Sequence, residues 1–217
     1  VTAFVIGLLG AESTGKTMLS LALRDALGAR GHDVVQVGEY LREFCVREGR
    51  TPRRDEQAGI AAEQTARIAA AAEGHDVVIA DTTALMIAVY SEQVFDDTSL
   101  YAQAEADHRR CDLTLLTALD LPWESDGLQR DGPHVREPVD ARVRAALGRA
   151  GCAYAVVAGS GQARVDAALE SVVAALRPPS VVRTGWQWHC DRCGDTACER
   201  HALLPALTPS PSGKGLG

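Results

Sequence analysis

Aromatic side chains are scarce in this chain: three Trp, four Tyr and three Phe make up 5% of 217 residues. The 46% apolar content rests on Ala, Val and Leu instead, a habit of parallel sheets wrapped by helices. Positive charge is short as well. With 22 Lys and Arg against 29 Asp and Glu the net charge is −7, and the pI is about 5.4. No global basic field draws a polyanion, so nucleic acid is not an expected partner. Charges interrupt every apolar run before it reaches a membrane span, so no membrane partner is expected either. No Lys or Arg precedes the run Ala3–Leu9, and a glycine loop follows it at once, which argues against an export signal. No repeat of solenoid period is present. Of six cysteines, Cys45, Cys111 and Cys152 stand isolated and three crowd near the end. That is no disulfide framework; it fits a reducing, cytoplasmic setting.

What is present has the rhythm of an α/β domain. Five short β-type runs alternate with helical stretches: Ala3–Leu9, Val34–Val37, Val77–Ala80, Leu113–Leu116 and Tyr154–Ala158. The alternation predicts a five-stranded parallel sheet with helices on both faces. An Ala-rich helix is expected between Arg53 and Glu73, with Pro52 at its first turn, where a missing N–H is harmless. Another should follow Gly161, with Val165, Ala168, Leu169, Val172 and Leu176 on one face, and end at Pro178-Pro179. Leu121 to Pro138 holds three prolines, two glycines and four acidic residues, and reads as a long, functional loop acting as a lid. The expected organisation is therefore a main domain over 1–177 with its lid near 121–138, a Cys/His-rich tail over 178–205, and a disordered terminus over 206–217.

The most specific motif lies near the amino terminus. Gly10-Ala11-Glu12-Ser13-Thr14-Gly15-Lys16-Thr17 is a complete G-x-x-x-x-G-K-[ST] phosphate loop, followed by Met18 and a helical pattern. Strand, glycine loop and helix in that order are the context the motif needs. Glycines let the backbone curl so that its N–H groups face a phosphate, and the helix start adds partial positive charge. Lys16 can reach the β/γ-phosphates, and the Thr17 hydroxyl is placed to ligate Mg²⁺. ATP binding follows as the expectation.

In open α/β sheets the ligand sits beyond the carboxyl ends of the strands. The third strand ends at Asp81, a second anchor for Mg²⁺, with a helix N-cap as its alternative role. The second ends near Glu39, a candidate base for a hydroxyl nucleophile or else a solvated charge at a helix start. Arg42 could hold substrate or neutralise Glu43. In the lid, Arg130 and Arg136 are cations suited to neutralising charge on a transferring phosphoryl group. Trp123 could stack on a flat substrate ring or simply anchor the lid.

With these residues laid out, the chain resembles the nicotinamide-riboside kinase family, found also as the kinase part of bifunctional NAD-biosynthesis regulators. Four blocks carry the resemblance: Gly10-x-Glu12-Ser13-x-Gly15-Lys16-Thr17, Glu39-Tyr40-x-Arg42-Glu43-Phe44, Asp81-Thr82, and Pro122-Trp123-x-x-Asp126-Gly127-Leu128. It implies a nucleoside-kinase-like P-loop fold and ATP-dependent phosphorylation of the ribose 5′-hydroxyl of nicotinamide riboside, giving nicotinamide mononucleotide. It also places substrate contacts on Glu39, Tyr40, Arg42, Glu43, Trp123 and Asp126. The chain departs from the family's pattern at Thr83, where Asp is usual, at Gln129-Arg130, where Arg directly follows the Asp-Gly-Leu triplet, and at Tyr90, where Trp is usual. No adenylyltransferase segment precedes the phosphate loop, so the bifunctional arrangement is not expected.

Two other function classes stay open: another small nucleoside or metabolite kinase, and an ATP-binding regulator without catalysis. A GTPase-type switch is not expected, because the Asn-Lys-x-Asp element does not occur. In the tail, Cys190, Cys193, Cys198 and His201 form Cys-x₂-Cys-x₄-Cys-x₂-His, a spacing able to wrap one structural Zn²⁺, with His189 as a substitute ligand. A redox pair or idle thiols are the alternatives.

Overall fold

The computed structural model describes residues 3–124 and 132–177. Asp126, Arg130 and the whole Cys/His tail lie outside the described residues. Everything described belongs to one compact unit, Val1–Arg177.

The strands are β1 (Phe4–Leu9), β2 (Val34–Val37), β3 (Val77–Ala80), β4 (Leu113–Thr117) and β5 (Ala155–Val157). The helices are α1 (Lys16–Gly28), α2 (Tyr40–Glu48), α3 (Gln57–Ala72), α4 (Ala84–Phe95), α5 (Tyr101–His108), α6 (Arg136–Ala150) and α7 (Gly161–Leu176). The sheet is wholly parallel, in the order β2-β3-β1-β4-β5. β1 lies at its centre, with Gly7 opposite Ala80 of β3 and Leu9 opposite Leu116 of β4.

Period-two alternation along β1 feeds two cores. Ile6 and Leu8 point to the face covered by α1 and α7, where they meet Leu19, Leu23, Leu27, Ala168 and Val172. Leu9 points to the other face and packs with Leu85, Met86, Val139, Val143 and Leu147 of α4 and α6. Ile6, Leu8 and Leu9 are fully buried, as a central strand covered on both faces requires.

The five-stranded parallel sheet matches the sequence expectation, with local differences. The helix expected from Arg53 begins instead as a 3₁₀ turn, Arg54–Glu56, and becomes α-helical at Gln57. Pro52 therefore precedes the helix. Glu56 does the capping there: its carboxylate accepts from the Arg53 N–H at 2.7 Å and from both ends of the Arg50 guanidinium. The expected loop up to Pro138 is also shorter, because α6 starts at Arg136. Pro138 sits in the first helical turn, where proline removes no helical hydrogen bond.

Candidate active site at the strand ends

The phosphate loop is shaped by strain and then locked. Gly10 has φ +150°, and a Cβ there would stand 2.0 Å from Thr117 Oγ1. Gly15 at the N-cap of α1 has φ +74°, and Ser13 between them has φ +55°. Thr14 Oγ1 donates to the Ala11 carbonyl at 2.7 Å, and Thr117 Oγ1 donates to Thr14 Oγ1 at 2.7 Å. Lys16 Nζ donates to the Gly10 and Ala11 carbonyls at 2.8 and 2.9 Å, folding the ammonium over the cradle. From the far side comes Arg164 of α7, only 5% exposed. Its guanidinium donates to the Thr14 carbonyl (2.8 Å), the Gly159 carbonyl (2.8 Å) and Asp120 Oδ1 (3.1 Å). Against the cost of burial, the Gly159 N–H and Arg164 hold the Asp120 carboxyl below its ordinary range. Arg164 is buried and Asp120 is exposed, so the fold depends on this set mainly through the two carbonyls that Arg164 satisfies, each charged hydrogen bond contributing about 1.5–3 kcal/mol.

Beside the cradle, Thr17 Oγ1 donates to Asp81 Oδ2 at 2.6 Å. Asp81 is 3% exposed, and its Oδ1 is enclosed without a hydrogen-bond partner. Burial pushes this carboxyl up, while the Thr17 hydroxyl, Lys16 and Arg42 pull it down. The N-cap of α4 is Thr83, whose hydroxyl accepts from the Leu85 N–H at 3.3 Å, so Asp81 does not cap. An orphaned carboxylate oxygen next to a threonine hydroxyl is the donor chemistry a hard divalent cation takes, so this pair fits Mg²⁺. Among the described residues, no cluster of three or more His, Cys, Asp or Glu stands ready for a metal.

Glu39 occupies the N-cap position of α2 yet makes no side-chain cap bond. Its Oε2 lies 3.9 Å from Arg42 Nε. Arg42 thus faces Glu39 and not Glu43, which α3 holds through Arg67 at 2.7 Å. Tyr40 turns the same way: Arg67 stacks 4.3 Å over its ring, and its N–H donates to Gln64 Oε1 at 2.8 Å. Tyr40 and Glu43, expected at the substrate, belong to the α2–α3 seam because α3 supplies a cation and an amide there. Gln64 also donates to the Gly38 and Thr82 carbonyls, tying the ends of β2 and β3 together.

A cavity of about 900 Å³ joins the phosphate loop to Glu39 and Arg42, and Asp81 does not line it. The phosphate loop from Glu12 to Thr17, with Met18, forms one part of its wall, and Glu39 and Arg42 form another. On one flank stand Leu121, Pro122, Ser160, Gly161, Arg164 and Val165; on the other, Leu41, Cys45, Pro52, Gln57, Tyr90 and Phe95. The segment after β4 is pinned to the cradle: the Glu124 N–H donates to Ser13 Oγ at 2.7 Å. Arg136 is not on the wall. It is 8% exposed and braces the segment from behind, donating to the Leu121 carbonyl at 2.9 Å. Trp123 is likewise off the wall, half-buried with its indole N–H enclosed and unpartnered. Arg136 stands at the head of a packed helix, with its Nη1 on the Leu121 carbonyl and its Nε and Nη2 enclosed without hydrogen-bond partners.

Four residues of this arrangement escape sequence reading. Thr117 had a trace, a polar residue closing an apolar strand. Arg164 interrupts the polar surface of α7 with nothing to mark it as buried, and Gln57 and Gln64 resemble solvated helix residues.

A parallel sheet whose central strand feeds a phosphate cradle, with a lysine, a hydroxyl and a strand-end carboxylate around it, defines a P-loop nucleotide-binding domain of kinase or NTPase type. A family model described as AAA domain matches residues 5–164, and the chain belongs to that family. Among solved structures, the fold is similar to a NadR protein in complex with NAD and AMP-PNP (TM-score 0.63, 19% identity, covering 80% of this chain and 49% of that one). It is also similar to a NadR protein in complex with NR (TM-score 0.65, 20% identity, 80% and 50%). The chain spans about half the length of these relatives. The resemblance to nicotinamide-riboside kinases read from four sequence blocks is thereby matched in fold. No curated protein sequence matches the chain. Among the described residues, no helix is long and apolar enough to cross a membrane.

Proposed function

We propose that this domain transfers the γ-phosphoryl group of ATP to the ribose 5′-hydroxyl of nicotinamide riboside, giving nicotinamide mononucleotide. The observation that carries the reading is the cavity in which the phosphate loop and Glu39 share a wall with an apolar, aromatic-bearing flank. The four-block resemblance and the NadR complexes with NR and AMP-PNP support it.

In this mechanism the backbone N–H groups of residues 12–17 hold the phosphates. Lys16 leaves the Gly10 and Ala11 carbonyls, its resting partners, for the β/γ-phosphate oxygens. Thr17 and Asp81 would hold Mg²⁺, which when bound neutralises charge building on the phosphate oxygens. Glu39, held by Arg42, orients the acceptor hydroxyl and takes its proton as the oxygen bonds to the γ-phosphorus. The bond from that phosphorus to the β–γ bridging oxygen breaks, and ADP leaves. Arg164 engages the Thr14 carbonyl at 2.8 Å, which takes one acceptor of the loop out of the way of the phosphates. The setting is cytoplasmic, in keeping with free thiols at Cys45, Cys111 and Cys152.

A single-turnover assay with ATP, Mg²⁺ and nicotinamide riboside tests the reading. Stoichiometric nicotinamide mononucleotide and ADP are expected. Transfer to a different nucleoside in a panel would reassign the acceptor; tight ATP binding with no ADP from any acceptor would make the domain a regulator.

A further inference from the structure

The cavity wall supplied by α2, α3, α4 and the α2–α3 connection is mainly apolar, with Leu41, Cys45, Pro52, Tyr90, Val94 and Phe95. Gln57 breaks that composition. It is the first residue of α3, lines the cavity, and is 4% exposed, yet its Oε1 is enclosed with no hydrogen-bond partner. The same helix carries an internal control. Gln64, also fully buried, uses its amide at both ends, accepting from the Tyr40 N–H and donating to two carbonyls. One glutamine of α3 is thus satisfied by the fold, and the other is left for something the fold does not supply.

The surrounding charges narrow what that is. Arg50 is engaged by Glu56 at 2.7 Å and Arg54 by Asp97 at 3.0 Å, while Arg42 on the wall faces Glu39. Among the described residues lining this flank the guanidinium is that of Arg42, already facing Glu39, so an anionic ring substituent entering here would be buried mainly among apolar groups. A primary amide both accepts and donates, and a half-turn of its last torsion exchanges the two ends. Its natural complement is another neutral group of the same kind.

We infer that Gln57 is a specificity-determining residue of the acceptor site, pairing its side-chain amide with a neutral, hydrogen-bonding substituent on the acceptor's ring, a carboxamide, and disfavouring the carboxylate counterpart. This rests on the acceptor reading above and sharpens it. A site built to hydrogen-bond a ligand group rejects analogues that leave its buried polar atoms unpaired.

Calorimetric titration of the full chain separates the two ideas. Nicotinamide riboside and nicotinic acid riboside are titrated into wild type and Gln57→Leu, with ATP as control ligand and the melting temperature of each unliganded protein as a second reading. Wild type is expected to bind the carboxamide at least about tenfold tighter than the carboxylate, and Gln57→Leu to lose roughly tenfold or more of the carboxamide affinity. ATP affinity stays unchanged. The melting temperature holds or rises, because the variant removes an orphaned acceptor. Equal wild-type affinity for the two ribosides overturns the inference, as does unchanged carboxamide binding in Gln57→Leu. A joint fall of melting temperature and ATP affinity would make Gln57 structural and overturns it too. Gln57-dependent carboxamide binding without phosphoryl transfer would sink the proposed reaction and leave the inference standing; transfer indifferent to Gln57 would do the reverse.

Discussion

The two flanks of the cavity are built by different means. The cradle flank is backbone held in place: Gly10 against Thr117, Thr14 under Thr117 and Arg164, Lys16 folded onto two carbonyls. The acceptor flank is side chains projected from three helices, with few polar atoms and one orphaned amide. A backbone cradle is blind to what carries the phosphate, since every triphosphate offers the same oxygens. A side-chain wall discriminates, and can be altered one residue at a time.

That contrast can be broken or sharpened by substitution. The largest effect belongs to Lys16→Ala, which should lower kcat by at least about 10³-fold with every acceptor, because it strips positive charge from the transferring group. A loss confined to one acceptor would place Lys16 on the wrong flank. Glu39→Gln should leave ATP affinity intact and slow single-turnover transfer by about 10²-fold; near-normal turnover would remove Glu39 from the base role. Arg164→Gln should raise the KM for ATP by about tenfold and destabilise the fold by about 2 kcal/mol, while the KM for the nucleoside stays put. Equal shifts in both KM values would erase the division between flanks.

Packed against β1 at Gly7 lies His108, 1% exposed, its Nδ1 3.0 Å from Thr83 Oγ1 and its Nε2 2.9 Å from Thr114 Oγ1. Burial pushes it down from 6.5 to about 4. A histidine with a depressed folded value stabilises above its unfolded value and loses that contribution as pH falls, here between 6.5 and about 4. Urea unfolding should show a loss of about 3 kcal/mol across that window, absent in His108→Gln. The smallest effect is at Asp81. Its raised carboxyl makes the charged form unfavourable in the unliganded fold, so Asp81→Asn should raise the melting temperature at pH 7.5 by a few degrees. The gain should vanish as pH falls through the carboxylate range, where wild type is protonated too. A lower melting temperature at pH 7.5 would contradict this.

The sequence was most legible where backbone geometry does the work. Five strand runs, the glycine loop and the polar residue ending β3 are local patterns, and each lies where expected. Side-chain partnerships across the fold were not local. Arg42 chooses Glu39 over Glu43 because α3 brings Arg67 to the latter, a contact 24 residues away in the chain. Arg136 reads as a loop cation until α6 is seen to start there and bury it. Thr83 departs from the resembled family's pattern and yet has a clear task, capping α4 and meeting His108. Burial of Gln57 and Gln64 depends on which face of α3 meets the sheet, and an Ala-rich helix with weak patterning does not announce that face.

The strand order has one more consequence. Asp81 follows β3 and Thr117 ends β4, the two strands bonded to β1, so the sheet fixes their spacing, and Thr17 on the helix fed by β1 is tied to Asp81 by its hydroxyl. The acceptor wall is made of side chains on α2, α3 and α4, outside the sheet ladder itself. A lineage could therefore re-cut the wall for a new sugar-bearing molecule and keep the phosphate machinery in register, much as a lathe changes its chuck and keeps its spindle.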